Sequence, residues 1–203
     1  MPRGISKALV IGVVLAIVVA IAVAYYVVQI GKPSYVNHYP ISVVDYLGRN
    51  VTIPSQPSTI GIVSPDCAQI IYVLGFGNRV TLMDIYSGQL LNYLGIKVPS
   101  NVTILKSIYP TPPLEPIIEA HPSILCADAG FQPNFANDVN TLSKAGVIVV
   151  FIGGTANTNV TGIENDVMLM AKALGITSRG EEVINKMNHI LNYVRNRAAN
   201  AQP

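Results

Sequence analysis

The sequence has no tryptophan, two cysteines, three histidines and few charges: Lys, Arg, Asp and Glu make up 12% of 203 residues, about half of the 25% or so usual for a soluble domain. Two cysteines cannot form the framework of a disulfide-stapled mini-protein. The balance of 13 basic to 11 acidic residues provides no basic surface for a nucleic acid, and a chain that is half apolar is no disordered tail. No Gly-x-x-x-x-Gly-Lys-Ser/Thr loop occurs, which excludes a phosphate-loop ATPase. Gly75-Phe76-Gly77-Asn78 lacks the third glycine of a dinucleotide loop and follows a helical pattern where that loop needs a strand. His38, His121 and His189 are scattered, which argues against a metal cluster. Ser64 and Ser87 have no His and carboxylate at the spacing of a hydrolase motif. No cofactor is implied.

The shortage of charge is local. Residues 8–30 contain no charge, and 21 of these 23 are apolar. At about 1.5 Å per residue they form a helix of about 35 Å, enough to cross a hydrocarbon core of about 30 Å. Arg3 and Lys7 precede this segment and Lys32 follows it, so the positive-inside rule places the N-terminus in the cytoplasm and the remainder outside. Two other readings use the same residues. Ala22-Val23-Ala24 fits a small-x-small cleavage site, and Pro2-Arg3-Gly4-Ile5-Ser6 resembles the short basic leader of archaeal pilin-like signals, cut after the glycine. All three deliver the globular part to the outer face. The sequons at Asn50, Asn101 and Asn159 agree with that address as candidate glycosylation sites. Cys67 and Cys126 fit either a disulfide or two small buried residues. The expected organisation is a leader (1–7), a transmembrane helix (8–30), a spacer (31–40), an α/β lobe (41–177) and a long last helix (178–203).

From residue 41 on, the remaining 10 basic and 11 acidic residues are spread over short β-branched runs alternating with helical patterns, the signature of an α/β architecture with a mainly parallel sheet. Residues 41–44 and 50–53 flank a turn as a hairpin. Strands are expected at 59–63, 80–83, 124–127 and 147–152, and helices at 67–74, 113–120, 135–145 and 162–174. Asp66 is the expected N-cap of the first helix, and Gly75 and Gly175 are expected helix stops. Ser178 to Glu181 reads as a capping box opening the last helix, whose apolar stripe runs from Val183 to Val194.

Six segments, in order, resemble the substrate-binding proteins of ABC importers for metal chelates such as siderophores, haem and cobalamin. They are residues 44–54, with Asp45-Tyr46-Leu47-Gly48-Arg49; 60–65; 73–80; 114–125, with Leu114-Glu115-Pro116-Ile117; 142–147; and 171–175. The resemblance implies two α/β lobes joined by a long rigid helix, with the chelate in the cleft between them. This sequence matches the first lobe and, at 181–201, the joining helix. A second lobe is expected to be absent from it, as in a one-lobe variant or a fragment.

By position, the resemblance implies that Ser64 and Pro65 face the ligand, with helix N-terminal amides available to an anionic group. It implies that Ile85 or Tyr86, together with Tyr109, supplies aromatic or apolar wall, and that Asp128, Ala129, Gly130 and Phe131 form a loop at the ligand pole. It implies that Glu115, at a helix start, docks onto permease arginines. The expected partners are a metal chelate, ABC permease subunits and the membrane. The expected function is non-enzymatic binding for import; a membrane-anchored or pilin-like one-lobe scaffold is the alternative.

Overall fold

The computed structural model describes residues 38–199. The expected leader, the membrane helix with its two cleavage readings, and residues 31–37 of the spacer lie outside the described residues, as do residues 200–203. Among the described residues no helix is long and apolar enough to cross a membrane.

The first two strands, β1 (Ile41–Val44) and β2 (Asn50–Ile53), pair antiparallel as the expected hairpin. Its turn is tied down by one carboxylate. Asp45 accepts from the amides of Leu47 (3.1 Å) and Arg49 (3.0 Å), from Arg49 Nε (2.9 Å) and Nη2, and from the Phe151 amide (3.3 Å). Arg49 Nη2 also donates to the Val149 carbonyl (2.9 Å), and the Tyr46 amide to the Phe151 carbonyl (2.9 Å). The Asp45 to Arg49 segment thus fastens the hairpin to an edge strand about 100 residues away in the chain.

The expected parallel sheet is present with five strands, β3 (Ile60–Ile62), β4 (Val80–Asp84), β5 (Thr103–Leu105), β6 (Ile124–Asp128) and β7 (Ile148–Ile152), in the order β5-β4-β3-β6-β7. Because side chains alternate along a strand, β-branched runs without polar interruptions feed two cores at once. Ile124, Cys126, Val150 and Ile152 face one core; Leu125, Ala127, Val149 and Phe151 face the other. The first core is closed by α1 (Pro65–Val73), α2 (Ile85–Tyr93), α5 (Val160–Ala173) and α6 (Thr177–Ala199), through residues such as Ile71, Leu91, Met170 and Val183. The second is closed by α3 (Leu114–Ala120), α4 (Val139–Lys144) and the 3-10 segment before α4, through Ile117, Leu142 and Phe135. Phe135 meets Phe151 edge-on, with ring centroids 6.0 Å apart, an arrangement the aromatic quadrupole favours.

Several local expectations are corrected. Ser64, not Asp66, caps α1: its hydroxyl accepts from the Cys67 amide (3.2 Å), and Pro65 occupies the first turn, where its missing N–H costs nothing. Residues 135–145 are not one helix but a 3-10 segment (Pro133–Asp138) followed by α4; Asn134, Asn137 and Asp138 are poor helix formers, and short i→i+3 turns suit such a stretch. The capping box at Ser178 does not open α6. The Ile176 carbonyl already accepts from the Arg179 and Gly180 amides, so Ser178 lies inside the first turn. Helix α2 and strand β5 have no counterpart in the sequence pattern. The glycine stops hold: Gly75 and Gly175 have φ of +90° and +70°, conformations that cost glycine least. Only the first half of α6 is packed. Gly180 and Val183 are buried against α5, whereas Ile190, Tyr193 and Val194 are exposed.

Candidate functional site

The strand order reverses between β3 and β6, which run side by side although β4 and β5 lie between them in the chain. In a parallel sheet the crevice beyond the carboxyl ends at such a reversal is where ligands bind. The segments that leave β3, β4, β6 and β7 there are each fixed by a buried polar side chain. Ser64 caps α1. Asp84 caps α2, accepting from the Ser87 amide (2.9 Å) and from the Ser87 hydroxyl. Burial pushes the Asp84 carboxyl up, and the bonds from Ser87 oppose that. Asp128 accepts from the amides of Gly130 (2.8 Å), Phe131 (3.1 Å) and Thr155 (3.1 Å) and from the Thr155 hydroxyl (3.3 Å). Asp166, on α5, accepts from the amides of Gly153 (2.8 Å) and Gly154 (2.9 Å) and from Asn157 Nδ2 (2.6 Å). These bonds clamp the loop after β7 against the loop after β6. Gly154 (φ +51°) sits so close to the Asp128 carboxylate that a side chain there would collide with it.

The fixed loops enclose a cleft of about 550 Å³ lined by Pro65, Asp66, Tyr86, Ile108, Asp128, Phe131 and Thr155. That volume is within the range of small-molecule sites, roughly 300–1,000 Å³. Tyr86 and Phe131 present partly exposed rings, and Tyr109, 71% exposed, stands beside Phe131 with ring centroids 6.3 Å apart. A smaller recess of about 180 Å³ opens beyond Asp66, between Gln69, Ile70, Gly154, Asn157, Ile163 and Asp166. Burial raises the Asp66 carboxyl above its usual range. The charge of Asp128, a hydrogen bond to it and the charge of Asp166 push in the same direction.

The structure brings together most of the expected ligand-facing residues. Pro65, Tyr86, Asp128 and Phe131 line the cleft and Tyr109 adjoins it. Gly130 is exposed on the same loop and packs on Thr155 and Ala156. Two residues depart from the expected role, and of the alternatives Ile85 and Tyr86 the cleft takes Tyr86. The Ser64 side chain is fully buried and turned to its own helix. Ala129 is buried, its amide bonded to the Ile152 carbonyl (3.0 Å). Ile85 opens α2 beside Tyr86 but does not line the cleft. Asp66, Ile108 and Thr155 join the wall unforeseen. Only Asp66 left a signal, since Pro65 in the first turn of α1 marks the next residue as a first-turn side chain.

Cys67 and Cys126 are joined by a disulfide, tying the start of α1 to β6. Glu115 is exposed in the first turn of α3, next to a separate recess lined by Ile104, Lys106, Thr111, Pro113 and Pro116. Asn50, Asn101 and Asn159 are all exposed, and Asn159 caps α5 by accepting from the Gly162 amide (2.9 Å). His121 ends α3 in the left-handed conformation (φ 43°) at the opposite pole of the sheet. Among the described residues no three His, Cys, Asp or Glu side chains are grouped to hold a metal ion.

No protein-family model matches the chain, and no curated protein matches it. Solved structures do. A TroA-like periplasmic binding protein, FepB from Veillonella parvula, superposes with a TM-score of 0.64 at 16% identity over 81% of this chain and 51% of its own. The siderophore-binding protein BauB gives 0.60 at 18% identity over 80% of this chain and 55% of its own. The haem-binding protein HmuT gives 0.57 at 19% identity over 73% and 45%. The chain spans about half the length of the structures it matches. At these identities the likeness establishes the fold: residues 38–199 form one α/β lobe and a long helix with the fold seen in these periplasmic binding proteins.

Proposed function

We propose that this chain is the extracytoplasmic substrate-binding component, or the N-terminal lobe of one, of an ABC importer for a metal chelate such as a ferric siderophore, haem or cobalamin. The observation that carries the reading is the cleft at the sheet's reversal point, walled by Tyr86 and Phe131 with Tyr109 beside Phe131, in a fold shared with haem-binding and siderophore-binding proteins. Large chelates present apolar, planar surfaces that aromatic walls cover well. In this reading residues 8–30 hold the lobe at the outer face of the membrane, and Glu115, exposed at a helix start, meets permease arginines. The chain binds and hands over its cargo without covalent chemistry.

The test is titration calorimetry of the full chain in mild detergent with a ferric siderophore, haem and cobalamin. Binding of at least one is expected. Absence of heat with all three, under conditions where a two-lobed binding protein responds, would sink the proposal.

The exposed Ile190, Tyr193 and Val194 on α6 favour a second reading, an anchored scaffold that self-associates through that helix and has no transport role. Concentration-dependent dimerisation by light scattering, without chelate binding, would support it; a monodisperse monomer would count against it.

A further inference from the structure

Charge around the cleft is one-sided. Its walls hold the carboxyls of Asp66 and Asp128 and the rings of Tyr86 and Phe131, with no Lys, Arg or His. The adjoining recess adds Asp166, again without a basic residue. Of the loops that leave the five parallel strands, only that after β5 carries a base, Lys106, and it lines the separate recess beside Pro113.

The helix end that would serve an anion is already used. In the first turn of α1, Pro65 has no N–H, the Cys67 amide donates to the Ser64 hydroxyl (3.2 Å), and the Ala68 amide donates to the Ser64 carbonyl (3.1 Å). That leaves the amide of Asp66, accompanied by its own carboxyl. Three amides and one hydroxyl donate to Asp128, and Asp66 lines the same cleft with no Lys, Arg or His there to balance either carboxyl.

We infer that this cleft selects a chelate carrying positive charge, such as a protonated amine, over an anionic one. The inference rests on the chelate-binding reading above and narrows its substrate class. A cation seated between Asp66 and the two rings supplies the missing countercharge and gains contact with the ring faces. A carboxylate or catecholate placed there meets two carboxyls and few free donors.

The experiment titrates the full chain in mild detergent with three ferric chelates of different charge: ferrioxamine B, with its protonated amine; uncharged ferrichrome; and anionic ferric enterobactin. The amine-bearing chelate is expected to bind about tenfold or more tightly than the anionic one, the scale of one charge-assisted hydrogen bond. Asp66→Asn is expected to weaken the cationic chelate about tenfold and to leave ferrichrome within about twofold. Gln69→Lys, an exposed change in the recess next to Asp66, is expected to act in the same direction without altering Asp66. Equal or tighter binding of the anionic chelate, or an unchanged ranking in both variants, overturns the charge inference and leaves chelate binding standing. No heat with any of the three overturns the chelate reading itself, and this inference with it.

Discussion

Reduction of the Cys67–Cys126 bond should destabilise the lobe and loosen its cleft together. Both cysteines are fully buried, and the bond closes a segment of 59 residues. In the chain-entropy description, a cross-link over that length removes unfolded-state freedom worth about 4 kcal/mol. For a domain of this size each kcal/mol moves Tm by about 2–4 °C, so a drop of about 10 °C is expected. The assay compares urea and thermal unfolding of the full chain, oxidised and reduced, with the Cys67→Ala/Cys126→Ala double variant. The reduced chain keeps both sulfurs and so isolates the cross-link, whereas the double variant also loses their packing and should unfold slightly earlier still. Cys67 follows Asp66 directly, and Cys126 precedes Asp128 by two positions. Chelate affinity should therefore fall on reduction, because the first turn of α1 loses its covalent tie to β6. Coincident unfolding midpoints for the oxidised and reduced chains would refute the reasoning, as would two titratable thiols in the denatured, unreduced chain.

Asp45→Ala leaves the Arg49 guanidinium and the amides of Leu47, Arg49 and Phe151 without their acceptor. A loss of about 3 kcal/mol is expected in urea unfolding, the lower end of the range for breaking a buried pair, since Arg49 keeps some exposure. Asp66→Asn should behave in the opposite way. The Asp66 carboxyl is raised above 3.8 in the fold by burial and by Asp128 and Asp166, so its neutral form contributes stability that is full below 3.8 and lost as pH rises through the raised value. The variant should therefore be more stable than the parent at neutral pH, with the gain vanishing on acidification below 3.8, as read from urea midpoints across that range. Gly154→Ala forces a side chain at φ +51° onto the Asp128 carboxylate. It should cost about 2 kcal/mol and abolish chelate binding, with unfolding and calorimetry as the checks.

How much was legible in the sequence depended on how local each cause was. The runs at 124–127 and 148–152 are buried strands because four or five consecutive apolar or small residues have no polar face to turn outward, and a chain pattern shows that directly. Gly75 and Gly175 mark helix ends through a backbone preference of their own. By contrast, α2 carries Gly88 within it and spreads its apolar residues around the helix, so it has no stripe to recognise. Strand β5 is three residues long with two exposed, too short for any period, and is held by pairing with β4. The choice of Ser64 over Asp66 as cap was between two residues equally suited to capping, and packing of the Ser64 side chain into the core settled it.

The same division runs through the site. Composition, strand periodicity and helix punctuation determined on their own that residues 41 onward form an α/β lobe with a parallel sheet and a long last helix, because those signals arise from each residue's own backbone and burial preferences. Pro65, Tyr86, Asp128 and Phe131 came instead from the resemblance of the sequence to metal-chelate binding proteins, not from those signals. The five-strand order, the joining of Cys67 to Cys126, the clamp of Asp128 on Thr155 and of Asp166 on Gly153 and Gly154, and the meeting of Asp66 with Asp128 were decided only in three dimensions. Each brings together groups 12 to 64 positions apart in the chain, and no local preference encodes which distant partner will satisfy a buried charge.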